Sequence, residues 1–333
     1  MTEARTLDWA HGSLTVLARG AMLGPVTFRL PDGRSVAPLW AAPWGPDETP
    51  ETLLQTVRGE WPCVPFGYTS AATPDTPPDW AAVLVPGAAG EWAHGYGSHH
   101  VWTWDDAGPG AIALHIDYPA GDPIRRLTRT LMPDPAGTAI DLTLTIEARA
   151  DCALPMGLHF TFAMPDSPGA LTLDPGPFAE GRTFPGRFEA GRSLAATDQG
   201  FADLAQVPAA GGGTLDLTRL PLAAETEELL LLNHSGGEVR LRHAAEGWQA
   251  VARWDPAAFP SLLMWLSNKG RQYAPWNARN LALGLEPVIS PFGFGVATAA
   301  GPNPMAARGV PTARVFRAGE VMTTRYRLAV EPI

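Results

Sequence analysis

Two short stretches bring together the residue types from which acid–base chemistry is made. In Pro155-Met156-Gly157-Leu158-His159-Phe160-Thr161-Phe162, the apolar Met156, Leu158, Phe160 and Phe162 alternate with Gly157, His159 and Thr161. Read as a strand, the first set is a core stripe and His159 stands on the opposite face between small or polar neighbours. Leu281-Ala282-Leu283-Gly284-Leu285-Glu286-Pro287 repeats the pattern, with three leucines on one face and Ala282, Gly284 and Glu286 on the other. Small residues leading up to a carboxylate leave floor space above a sheet for a ligand. An imidazole and a carboxylate on two such open faces are what general acid–base catalysis requires. Each also has a plain structural reading: His159 bonded to a neighbouring strand, Glu286 solvated at a strand end.

The Gly-rich segment Glu91–His100 adds His94, His99 and His100. Neutral imidazoles ligate metals, but no second carboxylate or thiolate lies nearby at ligand spacing. The segment therefore reads as a polar loop lending one or two histidines to a groove, with no metal. Aromatic residues gather around the same stretches: Trp61, Trp92, Trp102, Trp104, Trp265, Tyr273 and Trp276. Most of these are expected in the core. Tyr273 and Trp276 lie in polar, turn-like sequence (Arg271-Gln272-Tyr273-Ala274-Pro275-Trp276-Asn277) and are predicted to form an exposed platform. Flat aromatic faces with His, Arg, Asn and Glu around them suit a polyhydroxylated ligand such as a sugar ring.

Other chemistries lack their residues. There is no GxSxG elbow, no HExxH, and no GxGxxG between a strand and a helix. Lys269 is the single lysine and sits in Ser-Asn-Lys-Gly, outside any phosphate-cradling loop. Cys63 and Cys152 are too few for a disulfide framework or a metal knuckle and read as free thiols.

The elements that must position these residues are strands. Ile140, Leu142, Leu144 and Ile146 alternate with Asp141, Thr143, Thr145 and Glu147, a half-buried strand over 139–149. Ala111–Tyr118 and Thr323–Val330 repeat the period of two. Shorter strands are predicted at 14–19, 26–30, 35–40, 125–131, 229–233, 239–242, 248–254, 262–266 and 281–286. One short helix is predicted from Thr49 to Arg58, with Pro50 at its first position. Turns such as Pro31-Asp32-Gly33 and Asp174-Pro175-Gly176 separate the rest. Many strands and few helices predict an all-β fold, a large antiparallel sandwich formed as one domain over 1–333.

Composition agrees. Of 333 residues, 45% are hydrophobic and 12 are Trp, enough for a sizeable core. Charged residues are 17%, below the roughly 25% usual for soluble domains. A formal charge of −10 argues against a nucleic-acid partner. No apolar run approaches the ~18 residues of a membrane span, and the first residues lack a secretory pattern, so a cytoplasmic protein without a membrane partner is expected. Oligomeric state is not legible.

In their order along the chain, these landmarks resemble the aldose 1-epimerase (galactose mutarotase-like) superfamily. Arg58-Gly59-Glu60-Trp61-Pro62-Cys63-Val64-Pro65-Phe66-Gly67 is similar to the family's early Gly/Pro/Phe segment. His94-Gly95 resembles its first sugar-contacting histidine, Gly157-Leu158-His159-Phe160 the strand of its general-acid histidine, and Leu283-Gly284-Leu285-Glu286-Pro287 the late strand of its catalytic glutamate. Where the family places Asn-Arg after Pro-Phe, this chain reads Gly67-Tyr68-Thr69, and Arg58 is the candidate replacement. Glu227, in Thr226-Glu227-Glu228-Leu229, is the match for the family's acidic residue between the catalytic strands.

The resemblance implies a cofactor-free sandwich that interconverts the α and β anomers of a free or modified aldose. Glu286 would take the proton of the anomeric hydroxyl, and His159 would protonate the ring oxygen. His94, Arg58 and Glu227 would bind the sugar, beside the Tyr273 and Trp276 platform read from the residues. A groove that desolvates Glu286 is expected to raise its pKa, and the ionised Glu286 to raise that of His159. Two other classes stay open. One is a non-catalytic carbohydrate-binding protein on the same scaffold. The other is a hydrolase or lyase, which wants a second well-placed acid.

Overall fold

The computed structural model describes residues 3–68, 71–85 and 92–333. Alternating sequence becomes antiparallel sheet throughout. A nine-stranded sheet has at its centre Trp248–Trp254, Val321–Pro332, Ala139–Ala148 and Ile124–Pro133. An eight-stranded sheet is centred on Thr226–Asn233, Ser261–Asn268 and Leu281–Ile289, and beyond these lie Met156–Leu158 and Pro62–Cys63. A four-stranded sheet over Ala4–Val36 joins them. One face of each large sheet turns inward: Leu142, Leu144, Ile146 and Leu328 from the first meet Leu230, Leu262, Met264, Leu283, Leu285 and Phe160 from the second in a common core. The predicted strands appear at or within a few residues of the expected bounds, except that 35–40 shortens to Ser35–Val36.

The predicted helix does not form. Residues 52–56 are turns, with one backbone bond of helical span, Gln55 N–H to Glu51 C=O at 3.1 Å. The competing contacts win: the Trp44 indole donates to Leu54 C=O at 2.9 Å, and Leu53 and Val57 turn into an aromatic cluster with Trp40, Trp44, Trp61 and Trp276.

That cluster corrects a second expectation. The face of the eight-stranded sheet that carries Glu286 and His159 looks wet in sequence, yet loops cover it. Leu229, Leu231, Leu263, Ala282 and Val288 pack there against Trp61, Phe66, Trp276, Phe292 and Phe294. The sheet is buried on both sides, apart from a cavity left between it and the covering loops.

Candidate active site

Register brings the two candidate residues together. Gly157 pairs with Val288 and Thr161 with Gly284, so His159 lies directly opposite Glu286 on neighbouring antiparallel strands. The ladder is interrupted at 159–160, where His159 N–H bonds instead to Trp61 C=O at 2.9 Å on the other side. Glu286 is flanked across the next strand by Leu263. His159 Nε2 stands 3.6 Å from Glu286 Oε1. They face a cavity of about 610 Å³ whose wall includes Trp40, Trp61, Phe66, His94, Trp265 and Arg271.

Each side chain is held in place. The His159 ring stacks on the Trp61 indole, 3.9 Å between centroids and 15° between planes. Its Nδ1 is 3.2 Å from Thr161 Oγ1, leaving Nε2 for Glu286. Gly284 makes room for the carboxyl, because a Cβ there would lie 2.4 Å from Glu286 Oε1. Gly157 does the same for the wall, where a Cβ would lie 2.4 Å from Phe66 Cδ2. Gly284, read as floor space, and Gly157 are thus both required by close approach.

Electrostatics separate the pair in an unexpected direction. Glu286 is 2% exposed and His159 8%. Burial pushes the Glu286 carboxyl well above its ordinary range, as expected. Burial also pushes His159 well below the usual imidazole value, with the neighbouring His94 adding to the effect. The expected rise of His159 is overturned: an apolar floor of Leu263, Phe66 and Trp61 disfavours charge on both partners. Burial thus favours the uncharged form of each partner.

His94 lines the cavity, its ring 5.1 Å from His159 and held edge-on to Phe66. Burial lowers its pKa to about 4. Its backbone is in the left-handed region at φ 60° and its Nδ1 has no hydrogen-bond partner among the described residues. His99 and His100 turn away, bonding Ala93 and Tyr96 carbonyls, and Glu91 lies outside the described residues. Among the described residues, no three His, Cys, Asp or Glu side chains gather as metal ligands.

The remaining candidates divide. Tyr273, 54% exposed, lines the cavity mouth and donates its hydroxyl to Glu189 at 3.1 Å. Trp276 also lines the cavity but is only 6% exposed, wedged edge-on against Trp44 at 4.5 Å; the expected exposed platform is half sunk. Arg58 is not on the cavity wall. Its Nε donates to Thr56 C=O at 3.0 Å and its stem covers Gly24. Glu227 lies behind the wall and not on it, accepting from Ser267 Oγ at 2.6 Å and Trp265 Nε1 at 3.2 Å. It orients Trp265.

Three wall residues escape the sequence reading: Trp61 under His159, Trp265 beside Gly284, and Arg271. The only signal for them is that each lies within an aromatic segment already next to a candidate.

No protein-family model matches the chain, and no curated protein matches it in sequence. Solved structures do match. A candidate aldose 1-epimerase from Escherichia coli K12 superposes over 100% of both chains with a TM-score of 0.65 at 15% identity. A galactose mutarotase-like protein from Lactobacillus casei matches 99% of this chain and 100% of its own, with a TM-score of 0.61 at 16% identity. A galactose mutarotase-like protein from Clostridium acetobutylicum matches 100% of this chain and 96% of its own, with a TM-score of 0.60 at 11% identity. The chain has the mutarotase-like β-sandwich fold.

Proposed function

We propose that the protein is an aldose 1-epimerase-like isomerase that interconverts the anomers of an aldose or modified sugar. The observation that carries this reading is the placement of His159 opposite Glu286, 3.6 Å apart, at the floor of an aromatic cavity in a mutarotase-like sandwich. Fold alone assigns no reaction; the pair is what supports this one.

The chemistry follows from burial. A carboxylate with a raised pKa is a stronger base than in water, and an imidazolium with a lowered pKa is a stronger acid. Passing the Glu286 proton across to His159 Nε2 generates both at once, without change in proton count. Glu286 then removes the O1 proton, C1=O1 forms, the C1–O5 bond breaks, and His159 Nε2 gives its proton to O5. Rotation about C1–C2 in the open aldehyde and the reverse steps close the ring on its other face. No net oxidation occurs and no cofactor is consumed. Trp61 would hold the imidazole in plane, and His94 would offer its partnerless nitrogen to a ring hydroxyl.

The test is polarimetry on freshly dissolved single anomers of glucose, galactose and other aldoses. Equilibration faster than buffer alone for at least one sugar is expected. Equilibration at the buffer rate for every aldose, with binding retained, would instead favour a carbohydrate-binding protein.

A further inference from the structure

Arg271 brings to the cavity wall a buried donor that no acceptor meets within hydrogen-bond geometry. Its side chain is 17% exposed, and its buried Nε has no hydrogen-bond partner. The guanidinium lies over aromatic faces, 4.6 Å from the Trp276 ring, 5.4 Å from Phe188 and 5.6 Å from Trp265. Those rings fix its plane and satisfy none of its donors. A guanidinium offers five N–H groups, and withdrawing even the one on Nε from water without an acceptor is costly. The terminal nitrogens make no hydrogen bond to the described residues and are free to donate to ligand oxygens.

What that ligand carries follows from the charges nearby. Arg271 Nε already has two carboxyl groups close by, Glu189 Oε2 at 3.4 Å and Glu227 Oε2 at 3.8 Å. A third acid would sit beside Glu189, where like charges in a partly buried site repel. The other cation on the wall, Arg187, is more than half exposed and faces Asp75 at 3.5 Å, so it leaves no surplus of positive charge. Position matters too. The Arg271 guanidinium and the His159 imidazole both approach the Trp265 indole, at 5.6 and 6.5 Å. A pyranose lying along Trp265 with its anomeric carbon at the acid–base pair turns its other end to Arg271.

We propose that Arg271 is the specificity-determining residue of this cavity: it donates to two adjacent hydroxyl oxygens on the ring carbons remote from the anomeric centre of an uncharged aldose, and Glu189 beside it rejects sugar acids and sugar phosphates. This rests on the aldose reading above.

The experiment measures anomerisation kinetics and calorimetric binding for D-glucose, D-galactose, 4-deoxy-D-glucose, D-glucuronate and D-glucose 6-phosphate. The native chain is expected to favour a neutral hexose over both acidic sugars. Arg271→Met should raise KM for that hexose about 10–100-fold, the usual worth of hydrogen bonds to a charged donor, and leave kcat within a few-fold. The penalty of the 4-deoxy sugar should shrink in the same variant. Glu189→Gln should improve binding of glucuronate, and this variant with Arg271→Lys carries the test if Arg271→Met does not fold. Unchanged KM in a folded, active Arg271→Met, or tighter native binding of glucuronate or glucose 6-phosphate, overturns the inference and leaves the isomerase reading standing. A native chain that neither binds nor anomerises any of the five overturns both.

Discussion

Two pairs of buried ionisable residues lie one segment apart in this molecule, and they are treated in opposite ways. Glu60 and Arg129 are both fully buried between the sheets. Glu60 accepts from the Arg129 guanidinium and from Tyr326 Oη at 3.0 Å, and Arg129 also donates to Ala21 C=O. Burial still raises the Glu60 pKa, but Arg129 and Tyr326 pull against it. Glu286 has no such counterweight, and burial pushes its carboxyl up. A buried charge that holds a structure together is given partners, and under the proposed function the unpartnered carboxyl is the one free to react. Trp61, the residue after Glu60, links the two: the ion pair anchors the segment from which the indole supports His159.

The largest expected contrast is in stability against turnover. Arg129→Met strands a buried carboxylate and should cost about 3–5 kcal/mol in a denaturant titration. Glu286→Gln and His159→Asn should leave that midpoint near or above the native one, while each lowers kcat/KM about 10²–10⁴-fold. Because the two groups act as a unit, the double variant should be little worse than the poorer single one.

The pH dependence sharpens the comparison. Glu286, with its folded pKa raised, contributes stability that is complete below its unfolded value of about 4.3 and is lost as pH rises towards the folded pKa. His159, with its folded pKa lowered, contributes stability that is complete above about 6.5 and is lost as pH falls towards the folded pKa. Relative to the native chain, Glu286→Gln should thus gain stability as pH climbs above about 4.3, and His159→Asn as pH drops below about 6.5. The single-proton form of the pair spans the whole interval between the lowered and the raised value. The kcat/KM profile should be a bell with a broad top that covers neutral pH. A sharp optimum near pH 5.5, about midway between the ordinary values, would contradict the burial argument.

A smaller effect is expected at Gly284→Ala. The new Cβ would meet Glu286 Oε1 at 2.4 Å and Trp265 Cβ at 3.0 Å, so the carboxyl must move away from His159. Overpacking of this kind costs about 1–3 kcal/mol, and kcat should fall more than KM rises. Smallest of all, Tyr273→Ala at the cavity mouth should weaken sugar binding severalfold, about 1 kcal/mol or less, with almost no change in the thermal midpoint.

Much of this was legible in the residues. The period of two correctly puts Leu281–Glu286 in a strand, with Glu286 and His159 on the face away from the leucines; His159 itself lies at the break between two short strands. The same period cannot reveal what covers that face, because Trp40 and Trp44 arrive from a segment far away in sequence. Hence a wet face was expected where a dry one exists, and the His159 pKa was expected to move the wrong way. Arg58 was legible as an arginine in the right segment but not as one committed to Thr56. Arg271 sits in a turn-rich stretch where no periodicity states which way a side chain points.

The most direct test of the central claim is two-dimensional exchange NMR on an equilibrated aldose, which reads interconversion of the α and β C1–H signals. The account predicts cross-peaks above the buffer rate with the native chain for at least one aldose, and cross-peaks at or near the buffer rate with Glu286→Gln and with His159→Asn, both folded. Exchange that persists at the native rate in folded Glu286→Gln would contradict it.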